Sequence, residues 1–307
     1  MSGGTAMSRT TRRSRRATLA VSLTATVSLV LAACGGDDTT STTASSPAGA
    51  DPGIGHIHGL GVDPADGAIY VAAHYGVFRI IGQDRAARVA GRFQDTMGFT
   101  IVGPKTFLAS GHPAAAEMAK GARPHLGLLR SADAGATWTE VSEGGSADFH
   151  GLQPAGTKLY AFDSQTGQVR RSDDEGRKWI IGARLQVVDL AAHRNRPDRV
   201  HATTPEGVQV SDDGGATFTK ASGTPLLSHL DAVDGGGLVG VGVDGQVHSG
   251  RPGDGSWQRL GRLPGGQATA FTAVDARRLL AATEDGSVHE SRDGGRSFTM
   301  AYRPAPN

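Results

Sequence analysis

Several of the eleven histidines in this 307-residue chain fall where they could act together. HIHGLGVDP, residues 56–64, carries His56 and His58 two positions apart in a segment with strand character, so both imidazoles point to one face. IYVAAH ends at His74 and FLASGH ends at His112. HGLQPA begins at His150 and HLDAVD at His229, while MGFTIV opens on Met97 and DLAAHR on Asp189. Imidazole binds Zn, Cu, Fe and Ni, and a thioether adds a preference for copper, so Cu or Zn is the cofactor these residues would hold. Ligation needs neutral imidazole, so such a site would empty in acid. The same residues also fit a pocket for a small organic ligand such as a sugar, or a channel filled by a hydrogen-bonded polar network and water.

Which of these holds depends on the elements that carry the histidines. From residue 54 onward there is no helical periodicity. Short apolar runs rich in β-branched residues are cut by Gly, Asp and Pro, an all-β pattern. Self-comparison then shows a repeat. SADAGATW starts at Ser131, SDDEGRKW at Ser172, SDDGGATF at Ser211 and SRDGGRSF at Ser291, with steps of 41, 39 and 80 residues. A degraded copy, SGRPGDGSW from Ser249, fills the double step. A period near forty built from short strands predicts propeller blades of four strands each. Extending the register back predicts six blades, at about 54–93, 95–142, 147–184, 186–222, 226–263 and 267–303. Blade 2 carries an insertion, PAAAEMAKGARP, and no strand is shared to close the ring.

In each repeat Ser and Asp can bond nearby backbone amides and fix a tight turn, and Gly permits a backbone closed to other residues. Trp138, Trp179, Phe218, Trp257 and Phe298 end the turns and are expected to be buried between blades. Aligned by repeat, the inner strands put His58, Met97, His150, Asp189, His229 and Ala270 in one column around the channel. His56, His74, His112 and His125 then lie just above them at one mouth, with the insertion over it. His193, His201, His248 and His289 fall elsewhere and read as ordinary surface or strand residues.

The N-terminus is a separate matter. A basic stretch, RTTRRSRR, precedes an apolar segment, ATLAVSLTATVSLVLAA, ending at Cys34. That is the layout of an export signal over residues 1–33. LAAC resembles a bacterial lipobox, which implies cleavage before Cys34 and a lipid on its sulfur. SRRATL resembles a twin-arginine signal without its usual Phe, so the export route stays open. Residues 34–53 read as the lipidated Cys and a flexible polar tether, followed by the propeller over 54–303. The expected location is the outer face of the cell membrane, and the membrane, through Cys34, is the expected partner. A small ligand or metal ion is the second, and a protein partner remains open. Cys34 is the sole cysteine, so the domain has no disulfide. A net charge of +1 gives no reason to expect nucleic acid.

The S-x-D-x-G-x-x-[WF] stretches, with Asp133, Asp174, Asp213 and Asp293, resemble the Asp-box (BNR) repeat of sialidases and related propellers. The resemblance implies that each box joins the third and fourth strands of a blade, as a structural staple. It also raises the alternative of a sialidase-like glycosyl hydrolase. FRII, from Phe78, looks like the sialidase FRIP motif with Arg79 in the arginine place, but it lacks the Pro and falls in a third strand. The inner strands offer no arginine triad. Asp163, Asp189 and Glu284 are the available carboxylates, and no spacing singles out a pair. The sequence therefore leans towards a binding module over an enzyme.

Overall fold

Alternation of apolar and polar residues in runs of four to nine makes strands, and Gly- and Asp-rich turns join each to its neighbour. A computed structural model describes residues 51–233, 235–251 and 256–305. The expected export segment, Cys34 and most of the expected tether lie outside the described residues, as does the middle of the degraded repeat. The strands form six four-stranded antiparallel sheets, each made of four strands consecutive in the chain. They span residues 57–88, 95–142, 149–184, 189–220, 227–262 and 268–302. This is an all-β six-bladed propeller, and among the described residues no strand is exchanged between first and last blades. One short helix, Ala115–Met118, lies in the blade 2 insertion. Among the described residues no helix is long and apolar enough to cross a membrane.

The core is divided into six clusters, and each lies at a seam between two neighbouring blades. Tyr70, Val77, Phe99 and Phe107 fill the seam of blades 1 and 2, where the Tyr70 and Phe107 rings meet edge to face at 4.8 Å. Leu60, Val71 and Phe78 of blade 1 pack with Leu280, Val288 and Tyr302 of blade 6 and close the ring. The backbone adds one bond there, from Arg303 N–H to the Gln83 carbonyl at 2.7 Å.

The repeated Ser, Asp and Gly make one hydrogen-bonded turn four times. In the first copy the Ser131 hydroxyl donates to Asp133 Oδ1 (2.8 Å) and accepts from Gly135 N–H (2.8 Å). Asp133 accepts from the amide and hydroxyl of Thr137 at 2.9 and 2.6 Å. Ser172, Ser211 and Ser291 repeat the first pair of bonds with Asp174, Asp213 and Asp293. These donors hold Asp133 and Asp213 at a pKa of about 2.

The aromatic residues that follow are half-buried, not fully buried as the sequence suggests. Each still lies in the seam with the preceding blade: Trp138, Trp179, Phe218, Trp257 and Phe298 pack on five successive clusters. Each is thus partly covered by its seam and partly open to solvent. Trp179 sits 4.7 Å from the Phe149 ring and donates its indole N–H to Ser142 Oγ at 3.0 Å. Trp179→Ala should cost about 3 kcal/mol, the low end for losing a large core side chain because the ring is only half-buried. Urea unfolding at neutral pH reads it, and a change below about 0.5 kcal/mol, the scale of an ordinary surface substitution, would mean the seam does not depend on this ring.

Candidate functional site at the channel mouth

Blades 1, 2 and 3 enter the channel through the inner strands Ile57–Val62, Asp95–Gly103 and Phe149–Ala155. In each, one residue near the start has no partner on the second strand. Pairing steps from Ile57 to Gly59, from Thr96 to Gly98 and from Phe149 to Gly151. The residues passed over are His58, Met97 and His150. A β-bulge of this kind bends the strand and re-aims the side chain it frees.

Blades 5 and 6 bulge as well, but at Ser228 and Thr269. His229 and Ala270 therefore come one residue later, at the position of Gly59. Asp189 of blade 4 is itself paired, with Thr203. The single column expected from the sequence is thus two adjacent columns, and one step along a strand reverses the direction of a side chain. Both columns still line a cavity of about 200 Å³ on the axis, to which His58, Met97, His150, Asp189, His229 and Ala270 all contribute.

Above the cavity, polar side chains gather into two groups. In the first, His58 Nε2, His74 Nδ1 and Asp95 Oδ1 converge. The separations are 3.3 Å between the nitrogens, 3.6 Å from His58 to Asp95 and 2.9 Å from His74 to Asp95. The His56 ring is 4.9 Å from that of His58 and 6.0 Å from that of His74. Asp95 Oδ1 is buried and makes no aligned hydrogen bond, even to the nearby His74 nitrogen. Burial, with help from the neighbouring imidazoles and against Asp95, lowers the pKa of His58 to about 4.

The second group is His112, His125, Asp148 and His150. Asp148 Oδ2 lies 2.8 Å from His150 Nε2 and 3.5 Å from His112 Nε2, and the rings of His112 and His125 are 5.3 Å apart. Asp148 also accepts from Ser164 Oγ at 2.7 Å. Burial opposes its charge, but the bonds from His150 and Ser164 prevail and keep its pKa at about 2.

Strand pairing explains both groups. His74 N–H donates to the His56 carbonyl, Asp95 stands opposite His112, and Ser164 N–H donates to the Asp148 carbonyl. The same rung of three successive blades thus carries His56, Asp95 and Asp148, at or just before the start of the inner strand. Gly111, at φ +142°, allows the close approach in blade 2, since a Cβ there would lie 2.0 Å from the Asp95 carbonyl oxygen. Asp95 and Asp148 were not among the residues expected from the sequence. They stand two before Met97 and His150, as His56 stands two before His58, and that offset was the available signal.

The other expected residues have separate engagements. Both oxygens of Asp189 accept backbone amides, from Leu190 at 2.9 Å and Leu230 at 3.0 Å, which ties blade 4 to blade 5. Burial raises its pKa to about 8, and that of Asp231 to about 6. His229 lies beside Ser228 Oγ at 3.2 Å, and burial lowers its pKa to about 4. Asp163 is buried against Arg170 at 2.5 Å, and Arg79 is ion-paired to Asp66 at 2.8 Å and does not line the cavity. His193, His201 and His289, expected at ordinary positions, are buried.

No family model matches the chain. A xyloglucanase from Paenibacillus sp is 27% identical over 182 residues, which is 51% of this chain and 16% of that relative. The chain therefore spans about a sixth of the curated relative it matches. Among solved structures, the GH74 xyloglucanase from Xanthomonas campestris superposes with a TM-score of 0.51 at 17% identity, covering 81% of this chain and 45% of the enzyme. YCF48 bound to D1 peptide gives 0.52 at 14% identity, covering 81% and 83%. A chain of a nidogen/laminin complex gives 0.56 at 13% identity, covering 76% and 91%. The likeness to these structures is one of fold. The chain is a β-propeller with distant glycoside hydrolase relatives.

Proposed function

We propose that this protein is a lipid-anchored, extracytoplasmic propeller that binds a divalent transition metal at the mouth of its channel, through His58, His74 and Asp95. One observation carries the reading: the spacing of the three donor atoms. Ligands about 2.0–2.1 Å from a tetrahedral zinc stand about 3.3 Å from one another, and these three average close to that. Two imidazoles and a carboxylate favour Zn(II) or Cu(II) over Ca or Mg. Met97, which suggested copper, lines the cavity, whereas a carboxylate completes the group. His56 stands close enough to shield or complete the site. Three protein ligands leave a position open to a small ligand.

The test is direct. Full-length protein in detergent, purified without a metal-affinity tag and stripped with a chelator, is titrated with Zn(II) and Cu(II). At least one equivalent should bind at pH 7.5 and be released on acidification, as protons displace the metal. Absence of binding by either ion removes the reading.

The anchoring half is tested separately. Cys34→Ser should shift the mature protein out of the membrane fraction, because one residue supplies the whole attachment. Equal membrane retention of the mature variant would overturn it.

A second reading, glycoside hydrolysis, is favoured by the similarity to xyloglucanases. Asp189 and Asp231, with their raised pKa values, are the groups from which an acid would come. Their engagement with backbone amides argues against it. Release of oligosaccharides from xyloglucan, lost in Asp231→Asn, would put this reading first.

A further inference from the structure

We propose that the seam between blades 2 and 3 holds a second divalent-metal site of the Zn(II) class, formed by His112, His125, Asp148 and His150. It shares the chemistry proposed for the first site but stands on different residues. One ring nitrogen each of His112 and His125 and one Asp148 oxygen lie within 4.8 Å of one another. His150 Nε2 stands beside them, 2.8 Å from Asp148 Oδ2.

The ring of His112 is fixed in a manner suited to ligation. Its Nδ1 lies 2.9 Å from the Pro124 carbonyl, an acceptor only, so Nδ1 carries hydrogen. Nε2 then faces Asp148 Oδ2 at 3.5 Å. In a neutral ring that sets a lone pair against a carboxylate, and a cation between them removes the repulsion. Metal-bound histidines typically have their other ring nitrogen held in this way.

Two further atoms point to an occupant. His125 Nδ1 and Asp148 Oδ1 are buried and have no hydrogen-bond partner. Unpaired buried polar atoms are costly and call for an explanation. A cation held by His112, His125 and Asp148, whose donor atoms converge at this seam, supplies it. The set contains nitrogen and oxygen and no sulfur, which directs it to Zn(II) over Cu(I).

The two sites are built by the same rule. Each takes the histidine that follows or ends the second strand of one blade, His74 or His112, and the aspartate at the head of the next blade, Asp95 or Asp148. Where blade 1 adds His58, blade 2 has Met97. His125, from the end of the insertion, supplies the missing imidazole, and its carbonyl accepts Gly145 N–H at 2.8 Å. The insertion thus has a chemical task.

Stoichiometry decides it. Stripped full-length protein in detergent is titrated with Co(II), whose visible absorption reports tetrahedral nitrogen–oxygen sites, and then with Zn(II). Wild type should take two equivalents. His125→Ala and, separately, the shape-conserving Asp148→Asn should each lose one, with affinity at that site falling at least ~100-fold, more than loss of an outer hydrogen-bond partner costs. His74→Ala should lose the other. If His125→Ala and Asp148→Asn both retain the wild-type count and affinity, the second site is refuted, while the first site stands. If only His74→Ala keeps full binding, the first site fails and the second survives.

Discussion

Replacing His58 and His74 together by alanine should weaken Zn(II) or Cu(II) binding at the first site at least ~100-fold, beyond the usual cost of losing a ligand's outer partner. Two of three donors disappear, and Asp95 alone cannot hold the ion against water. The effect should also appear in stability. An ion that binds only the folded chain adds about 2.7 kcal/mol at a hundred times its dissociation constant. Zinc should therefore raise the melting temperature of wild type by several degrees, and the double variant should lose the share due to this site. His248→Ala is the control, since His248 lies in the third strand of blade 5, outside both groups. An equal zinc response in wild type and double variant, with the second site removed from both by Asp148→Asn, would falsify the assignment.

His201→Leu should stabilise the fold, and more so in acid. His201 is 1% exposed, with both ring nitrogens buried and unpaired, and packs 5.4 Å from the ring of His193. Burial, the neighbouring His193 and Arg199 lower its pKa to about 3. The unfolded chain takes up a proton near pH 6.5, well before the folded one does. Stability is therefore full above that value and falls by about 1.4 kcal/mol for each pH unit between 6.5 and 3. Removing two unpaired polar atoms should gain about 1 kcal/mol at pH 7. At pH 5 the advantage should grow by about a further 2 kcal/mol, since the variant escapes that linkage. Urea unfolding at the two pH values measures it, and an advantage that stays constant or shrinks in acid defeats the argument.

The blades were legible because their turns repeat. Ser131, Ser172, Ser211 and Ser291 each need an Asp and a Gly at fixed offsets to close the same hydrogen-bonded loop, so the spacing survives in the letters. The channel side was only half legible. His58, Met97 and His150 could be aligned because all three occupy the bulge, each followed by Gly and a large apolar residue. His229 aligns with them by its position in the repeat. The bulge at Ser228 makes a one-residue difference in pairing and leaves no trace in composition. Asp95 and Asp148 escaped for another reason. An aspartate before a strand ordinarily marks a turn, and only the equivalence with His56 across three blades sets these two apart.

That each described sheet is made of four consecutive strands has a topological consequence. All six sheets are continuous in sequence, and the seam between blade 6 and blade 1 is held by the same kind of side-chain packing as the other five. No blade boundary is privileged, so the order in which the chain visits the blades is a choice and not a constraint. A gene cut between blades 4 and 5, with the old ends joined across the seam where Ile54 and Tyr302 share one cluster, would encode the same six sheets. It would also keep blades 1 to 3, and with them every residue of both histidine groups, on one unbroken stretch.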